Sequence, residues 1–119
     1  MDLFNLDKKV ALVTGGNGGI GYAMAKAMGD AGAHIIIAGR NKDKNTLSVS
    51  NLKKSNITAM AIEVDVDNQI SCQNMVDQVL KNFKKIDILV NNAGKNIRKR
   101  PEEYSLKEWT SIILSLIHI

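Results

Sequence analysis

Cysteine, proline and aromatic residues are all scarce in this chain. The single cysteine, Cys72, excludes an intramolecular disulfide and any metal cluster built on cysteine. The only proline, Pro101, marks one loop. Five aromatic residues (Trp, two Tyr, two Phe) leave nothing to interleave with the basic residues and stack bases, so nucleic acid is not an expected partner. No apolar run approaches the roughly 18 residues that cross a bilayer, so no membrane span is expected. The opening Met1-Asp2-Leu3-Phe4-Asn5 is acidic where a secretory signal would be basic, and the expectation is a cytoplasmic protein. Repeats, low-complexity tracts and an internal linker are also missing.

What is present is the composition of an ordinary globular domain. The 119 residues are 45% hydrophobic and 24% charged, enough for one domain and too few for two. A formal charge of +4 comes from 16 Lys and Arg against 12 Asp and Glu. Most of the basic residues are spread along amphipathic stretches, but Lys95, Arg98, Lys99 and Arg100 cluster. That cluster reads either as a solvated loop or as an attraction for an anionic cofactor or substrate.

Strand and helix signals alternate strictly. Val10-Ala11-Leu12-Val13 is apolar on both faces, as a buried parallel strand is. Ile20, Ala23, Met24, Ala27, Met28 and Ala31 then fall on one helical face, and Gly32 closes that helix. A second strand is expected over His34–Ala38, a weaker polar helix over Lys42–Lys54, and a third strand over Ile57–Val64. Val76, Val79, Leu80 and Phe83 mark a third helix, Ile86–Val90 a fourth strand, and Trp109, Ile112 and Ile113 a last helix beginning near Leu106. Such alternation predicts a doubly wound parallel α/β sheet of Rossmann type with right-handed crossovers.

The loop after the first strand is Thr14-Gly15-Gly16-Asn17-Gly18-Gly19-Ile20-Gly21. Two glycine registers fit it: Gly16, Gly18 and Gly21 as GxGxxG, or Gly15, Gly19 and Gly21 as TGxxxGxG. Glycines between a strand and a helix let a pyrophosphate approach the amides at the helix N-terminus, where the dipole favours negative charge. About 20 residues past such a loop, a carboxylate binds both ribose hydroxyls in sites for NAD. Here that count reaches Gly39, and Arg40 follows. A guanidinium pairs with a 2′-phosphate, so NADP is the expected cofactor, with NAD as the alternative if Arg40 is only a turn residue.

Three motifs in order, the TGxxxGxG loop, Asp65 after the third strand and Asn91-Asn92-Ala93-Gly94 after the fourth, resemble the short-chain dehydrogenases/reductases. The resemblance runs from about Leu6 to Ile113. It implies that Thr14, Gly15, Asn17, Gly18, Gly19, Ile20 and Gly21 line the cofactor, with Gly15, Gly19 and Gly21 at its pyrophosphate. It implies that Asp65 and Val66 hold the adenine, and that Asn91, Asn92, Ala93 and Gly94 line the nicotinamide side. It implies a small-molecule substrate and a homo-oligomeric full-length protein. Within the family, Asn92 through Lys99 followed by Glu102-Glu103-Tyr104-Ser105 and Glu108-Trp109 looks like the gluconate 5-dehydrogenase and 2-deoxy-gluconate 3-dehydrogenase branch, with Arg98 a candidate for a substrate carboxylate. A 3-oxoacyl-thioester reductase is the rival.

The resemblance also implies a catalytic Ser and a Tyr-x-x-x-Lys pair in a second half, which would pair a further strand against the fourth. Tyr104 does not supply the pair, because Glu108 stands four residues on. Leu116 stands where relatives carry an Asn. Leu114-Ser115-Leu116-Ile117-His118-Ile119 back-translates to a transposon-end adapter. The expectation is therefore native sequence over 1–113 and a foreign tail over 114–119, in a chain cut after the fourth strand and its helix, with no catalytic residue and no metal site. A nucleotide-binding fragment that reduces nothing is the competing function.

Overall fold

Val10 to Val13 are apolar at every position because both faces of the strand they form are covered. The computed structural model describes residues 5–92. Within them β1 (Val10–Thr14), α1 (Gly19–Asp30), β2 (His34–Gly39), α2 (Lys42–Lys54), β3 (Ala59–Glu63), α3 (Gln69–Phe83) and β4 (Ile88–Asn91) alternate as expected. Ala93, Gly94, Arg98, Tyr104, the helix expected near Leu106 and the segment 114–119 lie outside the described residues.

Every strand pairing is parallel, in the order β3-β2-β1-β4. The chain steps outward from β1 to β2 to β3, then returns to the other side of β1 for β4. That return makes the carboxyl ends of β1 and β4 the topological switch point, the place where sheets of this kind hold a ligand in a crevice. This is the doubly wound α/β architecture that the alternation predicts.

Successive residues of β1 and β2 point to opposite faces and feed two separate cores. Leu12 and Ile36 pack with Val64, Met75 and Val79 on the α3 side. Val13, Ile35 and Ile37 pack with Ala25, Val49 and Leu52 on the side of α1 and α2.

The apolar face expected for α1 is buried only in part: Met28 packs against the second core and Ala31 is half-buried. Gly21, Ala25 and Gly29 are buried, whereas Ile20 is 74% exposed and Ala23, Met24 and Ala27 also face outward. The reason is distance. A Cβ on Gly29 would come within 2.7 Å of Ile57, and one on Gly21 would run into the Gly15 carbonyl. The helix lies so close that only its smallest residues fit beneath it. In α3 the buried line is Cys72, Met75 and Val79; Val76 and Phe83 pack partly, and Leu80 is 42% exposed. The strand ends shift as well: β3 begins at Ala59 rather than Ile57, and β4 begins at Ile88 rather than Ile86. Ile57 and Ile86 still pack against the cores outside the ladders.

The polar helix α2 forms because its ends are well supplied. The Asn41 side chain accepts the Lys44 amide at 3.0 Å, Asp43 sits in the first turn, and Lys53 and Lys54 close the last.

Candidate functional site

The glycine loop starts inside the sheet. The Gly15 amide donates to the Ala38 carbonyl at 2.8 Å, extending the β1–β2 ladder by one bond. Gly15 and Gly19 then take left-handed backbone angles, φ 68° and 57°, that residues with a Cβ rarely adopt. Gly21 must be small because the Gly15 carbonyl and the Asn92 amide crowd the place of its Cβ. The left-handed angles at Gly15 and Gly19 favour the longer register, although Gly16 of the shorter one is also crowded, by Ile37 and Val13. A Cβ on Gly18 would meet nothing within 4 Å, so the loop is open on that side.

The N-terminus of α1 faces that open side without help from a side chain. Gly18 caps it, no side-chain cap bond forms, and no acidic residue lies in the first turn. By contrast Asn41 caps α2 and Asn68 caps α3. Free amides at a helix start, beside a loop with no side chains in the way, fit a pyrophosphate.

Beyond the loop, the ends of β2 and β3 form a cavity of about 440 Å³ lined by Arg40, Glu63, Val64, Asp65 and Ser71. Arg40 and Asp65 stand 3.8 Å apart across it, both largely in solvent, which makes a loose ion pair. The Asp65 carboxylate also accepts the Asp67 amide at 3.1 Å, and its own amide donates to Ser71 Oγ at 2.9 Å. Val66 turns its side chain into the α3 core, so only its backbone faces outward chemistry. Cys72 packs beneath this segment. Burial, and then the carboxylates of Asp65 and Asp67, push its thiol up, so it stays protonated and structural.

On the other side of the crevice, β4 brings its asparagines to the loop. Thr14, fully buried, donates its hydroxyl to the Val90 carbonyl at 3.3 Å and lies 3.5 Å from Asn91 Oδ1. Asn92 Nδ2 donates to the Gly15 carbonyl at 3.2 Å. Of the expected site residues, those from Thr14 to Gly21 thus gather with Asn91 and Asn92, while Arg40 and Asp65 meet at the β2–β3 end.

Two contributors were not read from the sequence. Asn45, on α2, is buried and its Oδ1 accepts from Asn17 Nδ2 at 2.9 Å. Ser48 donates to the Asn17 carbonyl at 3.0 Å. Their signal was two polar residues on the helical stripe shared with Val49 and Leu52. A literal Tyr-x-x-x-Lys also occurs, as Tyr22 and Lys26. It lies on α1, where Tyr22 packs against the second core and Lys26 pairs with Asp30 at 2.8 Å. It is a structural coincidence of spacing.

A family model described as short chain dehydrogenase matches residues 9–116. The chain belongs to the short-chain dehydrogenase family. Among curated members, gluconate 5-dehydrogenase of Gluconobacter oxydans (strain 621H) is 35% identical over 94% of this chain and 44% of its own length. An uncharacterized oxidoreductase of Staphylococcus epidermidis is 34% identical over 89% of the chain and 45% of its own. Among solved short-chain dehydrogenases, one from Mycobacterium marinum superposes with a TM-score of 0.91 at 32% identity, over 98% of this chain and 47% of that one. Another, from Burkholderia cenocepacia J2315 in complex with NADP, gives 0.88 at 32%, over 95% and 46%. The chain thus spans a little under half the length of the short-chain dehydrogenases it matches. Among the described residues, no helix is long and apolar enough to cross a membrane.

Proposed function

We propose that the chain is the cofactor-binding part of an oxidoreductase that moves a hydride between NADP(H) and an alcohol or ketone. One observation carries the cofactor preference: the position where a ribose-binding carboxylate would stand, the last residue of β2, is Gly39, and Arg40 lines the cavity next to it. A guanidinium there meets a 2′-phosphate with two parallel bonds, where a carboxylate would repel it. When bound, the nicotinamide supplies the hydride chemistry. This chain's residues would grip the pyrophosphate through the amides from Gly15 to Gly21 and carry the nicotinamide side on Asn91, Asn92, Ala93 and Gly94. Asp65 and the backbone of Val66 would face the adenine.

The substrate read best is a sugar acid. Identity to a gluconate 5-dehydrogenase supports this, as does the basic run Arg98-Lys99-Arg100 shortly after Asn92. In this reading Arg98 attracts the substrate carboxylate, and the chain alone, without a Ser and Tyr-x-x-x-Lys at the nicotinamide, binds cofactor but turns over nothing. The protein works in the cytoplasm as a homo-oligomer.

The test is Arg40→Ala in the full-length protein, with both cofactors titrated. The reading requires NADPH affinity to fall about tenfold or more while NADH affinity changes little, as loss of a charge-assisted pair predicts. Equal loss for both cofactors refutes it.

A further inference from the structure

Position 39 is where a site for an unphosphorylated ribose would place its carboxylate, and here something already fills the place of that side chain. A Cβ built on Gly39 lies 2.8 Å from Asn17 Nδ2 and 2.8 Å from Asn45 Oδ1. Those two atoms are bonded to each other at 2.9 Å. An amide bridge thus runs from α2 to the glycine loop directly over Gly39.

The Asn45 end of the bridge is fixed. Asn45 is 1% exposed, and its Nδ2 donates to the Gly39 carbonyl at 2.9 Å and to the Ile62 carbonyl at 3.3 Å. The backbone that carries Asn17 is held by Ser48, which donates to the Asn17 main-chain carbonyl at 3.0 Å. A side chain at 39 would force the two amides apart and leave the buried Asn45 Oδ1 without its partner. Those same groups tie the glycine loop to the ends of β2 and β3, so the disturbance would reach the pyrophosphate amides.

We propose that Asn45 is a specificity-determining residue of the cofactor site: by holding Asn17 across Gly39, it bars a ribose-binding carboxylate at position 39 and leaves Arg40 to meet the 2′ substituent. Cofactor choice then belongs to a pair, 39 and 45, rather than to the residue after β2 alone. The inference rests on the NADP(H) reading above, and its test is separable from it.

The experiment is a double-mutant cycle in the full-length protein, with NADPH and NADH dissociation constants measured by calorimetry. Gly39→Ala should weaken NADPH binding about tenfold in the natural background and less than about twofold beside Asn45→Ala, within the range of coupling seen for touching residues. Gly39→Asp should gain NADH affinity only when Asn45→Ala accompanies it. That gain is a change in selectivity, which a general loss of folding would not produce. If Gly39→Asp fails to fold, the alanine pair carries the test, and melting curves should show Gly39→Ala costing less beside Asn45→Ala than it costs alone. Should Gly39→Ala have the same effect in both backgrounds, or Gly39→Asp alone gain NADH affinity as fully as the double variant, the proposal is overturned. A natural protein that prefers NADH would refute the NADP(H) reading while the coupling between 39 and 45 still decides this one.

Discussion

Asp87 and Val10 bond to each other twice. The Val10 amide donates to Asp87 Oδ2 at 2.8 Å, and the Asp87 amide donates to the Val10 carbonyl at 2.9 Å. The pair pins the start of β4 to the start of β1 in the register that sets Thr14 beside Asn91. A contact at the far end of the sheet from the crevice therefore decides which residue of β4 reaches the glycine loop.

This pair makes stability depend on acid. The bond from the Lys85 side chain, and then that from the Val10 amide, hold the Asp87 carboxyl below its ordinary value. The unfolded chain thus takes up this proton at higher pH than the folded chain. The contribution of Asp87 is complete above the ordinary carboxylate value and is lost as pH falls through the lower folded one. Urea midpoints followed from neutral pH down to about pH 2 should fall less steeply for Asp87→Asn than for the natural protein. Parallel curves would remove Asp87 from the account.

Two glycines of the loop should separate folding from cofactor binding. Gly21→Ala drives a methyl into the Gly15 carbonyl and to 2.5 Å from Asn92 Nδ2, so it should cost about 1–3 kcal/mol of stability and weaken the cofactor as well. Gly18→Ala meets nothing within 4 Å and should leave the melting temperature nearly unchanged while obstructing the pyrophosphate. Melting curves and cofactor titration on both variants check this. If Gly18→Ala binds NADPH normally, the open side of the loop is not where the pyrophosphate lies.

Gly29→Ala sets helix propensity against packing. Propensity alone favours Ala over Gly by about 1 kcal/mol in a helix interior. The new methyl, however, would stand 2.7 Å from Ile57 Cδ1 and Cγ2, inside a packed core. Overpacking of this kind costs about 1–3 kcal/mol, so the variant should be less stable, and Ile57→Val should recover part of the loss. A more stable Gly29→Ala would mean that α1 does not lie so close to β3's approach.

Arg98→Ala should raise KM for a sugar acid far more than for the matching neutral sugar alcohol, with kcat nearly unchanged. Steady-state rates on the two substrates in the full-length protein measure it. A similar rise for both would dismiss the charge as the basis of recognition.

Element type and order were legible in the chain because each rests on local rules. β1 and β2 are runs of buried apolar residues and α1 opens on glycines, so the alternation, the parallel sheet and the loop at Gly15 to Gly21 follow from spacing and residue type. Periodicity located the helix α1 but centred its buried face wrongly, with only Met28 and Ala31 of the expected stripe partly covered. Ile20, Ala23, Met24 and Ala27 carry the larger apolar surface, yet Gly21, Ala25 and Gly29 are buried, because the gap between helix and sheet admits no larger side chain. Sequence pattern weighs hydrophobicity around a helix; it holds no record of how near the neighbouring element lies. For the same reason Asn45 read as one polar residue among many in α2. Only the tertiary structure set its amide over Gly39 and against Asn17, turning an ordinary surface residue type into a buried strut of the glycine loop.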